Sequence, residues 1–185
     1  MLEASIKQFK YYKQLADKAI SQLQVNDYLF HQENPEDNSI AIIISHMAGN
    51  MKSRWTNIFT EDGEKPWRNR DAEFEPVETS KEDLFRLWEE GWDILFTTLQ
   101  NLCESDLQKI IYIRNDGMSV EDVIIRQLCH YSYHCGQIVY KCKQLTNGSW
   151  SSLSIPKNHS KAYNEKKFSA ERQKRHFLDK MPEDD

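Results

Sequence analysis

His130 and His134 stand four residues apart in the run Cys129-His130-Tyr131-Ser132-Tyr133-His134-Cys135. On a helix this spacing sets two imidazoles one turn apart on one face, where a single metal ion takes a nitrogen from each. The surrounding pattern predicts that helix. Val120, Ile124, Leu128, Tyr131, Cys135, Ile138, Cys142 and Leu145 recur at threes and fours and make one apolar stripe. The two histidines fall beside the stripe, in line with Gln127, Gln137 and Lys141, so they face a crevice at the edge of the core. Such a pair is often only a surface or core-edge feature, and a third ligand is what would make it a site.

His46 is the candidate third ligand. Ile40, Ile43, Ile44, Met47, Met51, Trp55 and Ile58 form a second helical stripe, and His46 lies roughly 60° around the helix from Ile43. Asn50, Ser53, Arg54 and Asn57 continue its polar line, and Gly49 sits beside it. Gly49 either leaves the site open or lets a neighbouring helix approach. Three neutral imidazoles with open positions are the ligand set of a catalytic divalent ion, which polarises a carbonyl or lowers the pKa of a bound water or thiol. Other chemistries lack residues. A zinc-protease HExxH needs Glu where Tyr131 stands, and a di-iron bundle needs Glu three before His130 or His134, where Gln127 and Tyr131 stand. There is no phosphate loop, nucleophile elbow or dinucleotide fingerprint. His31, His159 and His176 lie in loop-like or terminal stretches and are set aside.

The rest of the chain must position these groups. Its 185 residues suffice for one domain with a real core. Six glycines, five prolines and few alternating strands make all-α the expected class. Helices are expected over 3–23 (Ile6, Phe9, Tyr12, Leu15, Ala16, Ile20, Leu23), 39–60, 80–101 (Leu84, Leu87, Trp88, Gly91, Trp92, Leu95, Leu99) and 119–146. Ser39 or Asn38, Ser80 and Ser119 are placed to cap the last three. A charged connection over 61–79 joins helices two and three, reading as a lid or a surface crossover. Residues 107–114 are β-prone and precede the turn signal Asn115-Asp116-Gly117. Trp150, Leu153, Ile155 and Tyr163 are expected to pack across the helices. Residues 169–185 read as a charged tail behind a domain over 1–168.

A net charge of -5 argues against non-specific nucleic-acid binding. No apolar run approaches the ~20 residues of a membrane span, and Met1–Lys7 lacks signal-peptide order. Cys103, Cys129, Cys135 and Cys142 form no CxxC pair and read as free thiols in a reducing cytoplasm.

One histidine in helix two and His-x-x-x-His late in a four-helix chain resemble the DinB-like superfamily of metal-dependent bacterial proteins, over about residues 1 to 160. The more specific runs are His46-Met47-Ala48-Gly49-Asn50-Met51-Lys52-Ser53-Arg54-Trp55, then Asp62-Gly63-Glu64-Lys65-Pro66-Trp67-Arg68-Asn69-Arg70-Asp71, and Ser152-Leu153-Ser154-Ile155-Pro156. They look like an uncharacterised Bacillus-type branch of that superfamily, which carries no assigned reaction. The resemblance implies a four-helix bundle in up-down-down-up order, with 61–79 as the long crossover. It also implies a zinc or nickel site at His46, His130 and His134, and kinship with low-molecular-weight-thiol transferases and a thiol-dependent isomerase.

Two functional expectations stand side by side. One is a metal-dependent transferase or hydrolase acting on a small molecule, such as a low-molecular-weight thiol. Asn50, Arg54 and Gln137 would be ligand contacts, with Arg54 alternatively salt-bridged to a glutamate. Its catalytic acid or base is unknown, Glu121 and Tyr133 being the only candidates. The other is a non-enzymatic metal- or small-molecule-binding stress protein, often a dimer. Both are expected to act without nucleic acid or membrane, and a homodimer is compatible with either.

Overall fold

The computed structural model describes residues 1–76, 79–146, 148–174, 176 and 178–179. The chain is predominantly helical. Its helices are α1 (Leu2–Ile20), α2 (Ile40–Trp55), α3 (Lys81–Asn101), α4 (Val120–Leu145) and a short α5 (Ser160–Phe168). A two-stranded sheet, β1 (Ile110–Ile113) with β2 (Asp116–Ser119), precedes α4, so the all-α expectation is corrected to mostly α with a small hairpin. No helix among the described residues is long and apolar enough to cross a membrane.

Three serines start three helices. The Oγ atoms of Ser39, Ser80 and Ser119 accept from the backbone N–H groups of Ile42, Asp83 and Asp122 at 3.1, 3.0 and 3.0 Å, satisfying donors that a helix start leaves open. Two expected helix ends come early. α1 stops at Ile20, and the backbone turns back so that Leu23 N–H reaches Ile20 O at 3.0 Å. α2 stops at Trp55, because Thr56 is extended and Asn57 is left-handed at φ 50°. Ile58 is still buried beyond that turn, which is why its apolar rhythm runs on past the helix.

α2 lies along α3, and α1 lies along α4, while α2 also meets α4 and α1 meets α3. α2 is the most enclosed element: all its residues except Ser45, Gly49 and Lys52 are buried. That explains the unbroken run Ile40–Ile44, which a one-sided helix would not need. Gly91 of α3 makes the closest approach, where an added Cβ would stand 3.0 Å from Ala48 Cα and 3.0 Å from Met51 Cε. Tyr131 of α4 joins all four long helices. It is fully buried, its ring centroid lies 5.9 Å from Phe9 and 6.0 Å from Trp92, and its hydroxyl meets Trp55 and Asn50 of α2.

The hairpin pairs Ile110 with Ser119 and Ile113 with Asp116. Its turn is Arg114-Asn115, at φ 56° and 63°, one residue earlier than the Asn115-Asp116-Gly117 signal suggested. Two left-handed residues make the tight turn that matches strand twist. Asp62 stabilises it from outside: its carboxylate accepts from Arg114 N–H at 2.8 Å, Asn115 N–H at 2.9 Å and Glu64 N–H at 2.7 Å. Ile111 and Ile113 point into the core. Beyond α4, Trp150 and Leu153 pack against the core, but Ile155 and Tyr163 stay exposed. In the expected tail, Asp179 pairs with Lys7 of α1 at 2.9 Å; positions 175, 177 and 180–185 lie outside the described residues.

Substituting Gly91→Val forces α3 away from Ala48. Overpacking of this kind costs about 1–3 kcal/mol, and chemical denaturation should show the midpoint falling with the slope unchanged.

A candidate metal centre between two helices

α2 presents His46, and α4 presents His130 and His134, across the same seam. His46 and His134 are buried and His130 is half-buried. One nitrogen from each ring lies within 4.8 Å of the others, and Nε2 of His130 stands 3.0 Å from Nε2 of His134. The three are close enough to hold a metal ion. His46 packs against Phe74 at 4.6 Å between centroids, and His134 against Tyr133 at 4.9 Å.

The second nitrogen of two rings is already engaged. His46 Nδ1 lies 2.9 Å from Glu73 Oε2. Burial resists ionisation of that carboxyl, but hydrogen bonds from His46 and Arg68 outweigh it and hold its pKa below the usual carboxylate value. An ionised carboxylate only accepts, so His46 Nδ1 carries a proton and donates it. His134 Nδ1 stands 2.7 Å from Gln137 Oε1, while Gln137 Nε2 donates to Tyr133 Oη at 3.0 Å. With His134 Nδ1 donating, its Nε2 is an acceptor, and the short contact to His130 is a donation from His130 Nε2. An ion held by these rings would need both Nε2 lone pairs, and the His130 proton would then sit on its Nδ1.

Glu73 reaches the centre from the 3₁₀ turn Asp71–Phe74. Arg68 grips its carboxylate with two bonds, Nε to Oε1 at 2.7 Å and Nη2 to Oε2 at 2.8 Å. Arg68 Nη1 also reaches Glu64 Oε2 at 3.2 Å, and Arg54 Nη2 reaches the same oxygen at 3.0 Å. The carbonyl of Gly63 accepts from Ser53 Oγ at 2.7 Å and from Arg54 Nη1. The connection after α2 is therefore packed down through alternating charges, not loose over the surface.

Beneath the histidines lies a closed polar cluster. Tyr131 Oη accepts from Trp55 Nε1 at 3.1 Å and from Gln127 Nε2 at 2.9 Å, and donates to Asn50 Oδ1 at 3.0 Å. Gln127 Nε2 also reaches Asn50 Oδ1 at 2.7 Å. Burial pushes the Tyr131 hydroxyl up to about 12, so it stays protonated and structural.

The expected ligand contacts are distributed as follows. Gln137 touches His134, Asn50 belongs to the buried cluster, and Arg54 spends its guanidinium on Glu64 and Gly63. Tyr133 borders the site. Glu121 bonds Gln108 at 3.0 Å and precedes His130 by roughly 13 Å of helix. Gly49 gives room to a neighbour, but that neighbour is a side chain and not a helix. Its empty side is filled by Glu73, whose Oε1 would stand 2.3 Å from an added Cβ. Sequence reasoning missed Glu73 and Arg68 as partners of the site; the available signal was a costly helix-interior glycine one turn from a histidine, followed by acids in a long connection. A cavity of about 770 Å³ adjoins the site at Gln137, lined also by Tyr133, Tyr140 and Lys141 on one side and by Glu33, Asn34 and Asp37 on the other.

Burial, then the charges of His134, His46, Arg126 and Arg54, push His130 down to about 3. Burial also lowers His134, against the opposing bond to Gln137. All four cysteines are free; Cys135 and Cys142 are buried, and burial pushes both thiols up, Cys142 to about 12.

Fold and site thus define a predominantly helical protein with a three-histidine centre between α2 and α4. The chain belongs to the family described as "Protein of unknown function (DUF1572)", which matches residues 1–159. No curated protein matches it.

The depressed histidines set a pH dependence. Below about pH 6.5 the unfolded chain binds protons that folded His130 and His134 refuse, so stability is full above that pH and lost as pH falls toward 3. In metal-stripped protein the melting temperature should drop from pH 7 to pH 5, above most carboxylate titration. The His130→Asn variant should show a shallower drop over the same range.

Proposed function

We propose that His46, His130 and His134 hold a divalent ion, zinc or nickel, in an enzyme of the metal-dependent transferase or hydrolase type. The observation that carries this reading is the convergence of three imidazole nitrogens, each within 4.8 Å of the others. Two rings also have their far nitrogens tied back by Glu73 and Gln137, the usual support of a metal-ligating histidine. When bound, the ion supplies a Lewis acid that makes a coordinated thiol or water nucleophilic near neutral pH.

The chain's own residues divide the remaining work. Glu73 and Gln137 keep Nε2 of His46 and His134 as acceptors. The Tyr131 cluster holds α2 and α4 in register. Tyr133 receives a bond from Gln137, which leaves its own proton available toward the adjoining cavity. That cavity has room for a small molecule the size of a low-molecular-weight thiol conjugate. For the fold we infer an up-down-down-up four-helix bundle of the DinB-like type. The pairing of α2 with α3 and of α1 with α4, and the packed connection after α2, support it.

A second reading, a non-catalytic metal- or small-molecule-binding protein, is favoured by one observation. The polar groups nearest the histidines, Asn50, Arg54 and Glu73, are all engaged by protein partners. A thiol-conjugation screen with metal-loaded protein separates the two readings.

The metal itself is tested by thermal unfolding. Zinc or nickel at about 100 times Kd should stabilise the wild type by about 2.7 kcal/mol, a rise of roughly 5–10 °C for a chain of this size. His134→Ala should remain folded and lose the rise. A wild type with no metal-dependent shift, or a mutant that keeps it, refutes the reading.

A further inference from the structure

We infer that Glu73, seated in the cradle left by Gly49, is a positioning residue that fixes His46 as an Nε2 ligand; the inference rests on the metal reading above. Three observations carry it. First, Gly49 lies inside α2, where glycine is a poor helix former. The space it frees holds the Glu73 carboxylate, so closely that a Cβ would stand 2.3 Å from Oε1 and 2.8 Å from Cδ. Secondly, the carboxylate is buried, with the Arg68 guanidinium as its counter-charge. Arg68 binds both its oxygens and aims Oε2 at His46 Nδ1. Thirdly, Arg68 is itself held by Glu64, which Arg54 of α2 anchors in turn. Glu73 is thus supported from behind and cannot swing away without breaking ion pairs.

The consequence for the centre is specific. A neutral imidazole has one proton to place on either nitrogen. With Glu73 present the proton sits on Nδ1, and the lone pair is left on Nε2. Without it His46 distributes its proton between both nitrogens and its ring is free to rotate, so part of the population offers an N–H where a ligand is needed. Partners of this kind typically contribute 10–100-fold in metal affinity.

The alternative is that Glu73 merely fastens the connection down. Three variants separate these roles: Gly49→Ala, which fills the cradle while favouring the helix; Glu73→Gln, which keeps shape but not charge; and Asp62→Ala, which releases the other anchor of the same connection, at the hairpin. Zinc affinity is read by competition with a chromogenic chelator, and the His46 tautomer by imidazole nitrogen NMR of metal-free protein. Gly49→Ala should weaken zinc 10–100-fold and move His46 from the Nδ1–H form to a mixture. Glu73→Gln should weaken zinc about tenfold, and it carries the test if Gly49→Ala does not fold. Asp62→Ala should stay within about twofold of wild type. Unchanged zinc affinity in both Gly49→Ala and Glu73→Gln overturns the inference, as does an unchanged His46 tautomer in Gly49→Ala. An Asp62→Ala loss equal to that of Gly49→Ala also overturns it, by showing that fastening alone matters. A wild type that binds no zinc overturns the metal reading, and this inference with it; a wild type that binds zinc as tightly as the variants overturns this inference alone.

Discussion

The hydroxyl of Tyr131 is the interaction on which the rest of the structure depends. With Gln127 it hydrogen-bonds α4 to α2, and its ring also touches α1 and α3. Each polar atom facing it is used: Trp55 and Gln127 give protons, and Asn50 takes one. A satisfied buried cluster of this kind has one arrangement of low energy, because any slip leaves a donor or acceptor unpaired in a dry interior. A one-turn displacement of α4 along α2 would break the bonds to Trp55 and Asn50 and carry His130 and His134 away from His46. The centre is therefore located by the hydrogen bonds beneath it, and its ligands need not hold the helices together.

The second requirement is enclosure of α2. A helix covered on nearly every side must be apolar nearly all round, and its few polar residues must find partners within reach. His46, Asn50, Ser53 and Arg54 do so, meeting Glu73, Tyr131, Gly63 and Glu64 respectively. Much of that covering comes from the connection after α2. It supplies charged groups to a helix that has no water to satisfy its own, and it does so with ion pairs whose members each bond more than once, the geometry in which buried charge is tolerated.

The helices were legible in the sequence because their apolar positions repeat at threes and fours. Their ends were less so. At Ile58 the rhythm of buried residues continues through a turn that only Asn57's left-handed backbone reveals. The hairpin turn was read one residue late, because Asn-Asp-Gly is the stronger local signal and the carboxylate that selects Arg114-Asn115 comes from Asp62, far away in sequence. In the site, His130 and His134 announce themselves by spacing, and His46 by its place on a parallel stripe. Glu73 had no such pattern. It lies 27 residues from His46, in a stretch where acids and bases are so frequent that none stands out. Arg54 read either as a ligand contact or as the partner of a glutamate; it pairs with Glu64 and also reaches the Gly63 carbonyl.

The connection between Asp62 and Glu73 is tied at both ends, to the hairpin turn on one side and to the histidine seam on the other. Its chain length is consequently a mechanical quantity. One residue added between these ties would have to bulge outward or push the carboxylate past its cradle, and one removed would stretch the segment off Arg54. The stretch between α4 and α5 is tied at one point, where the Gln22 side chain bonds both the N–H and the carbonyl of Ser151. Length variation should therefore be absorbed after α4, while the segment after α2 behaves as a strut of fixed length between its two ties.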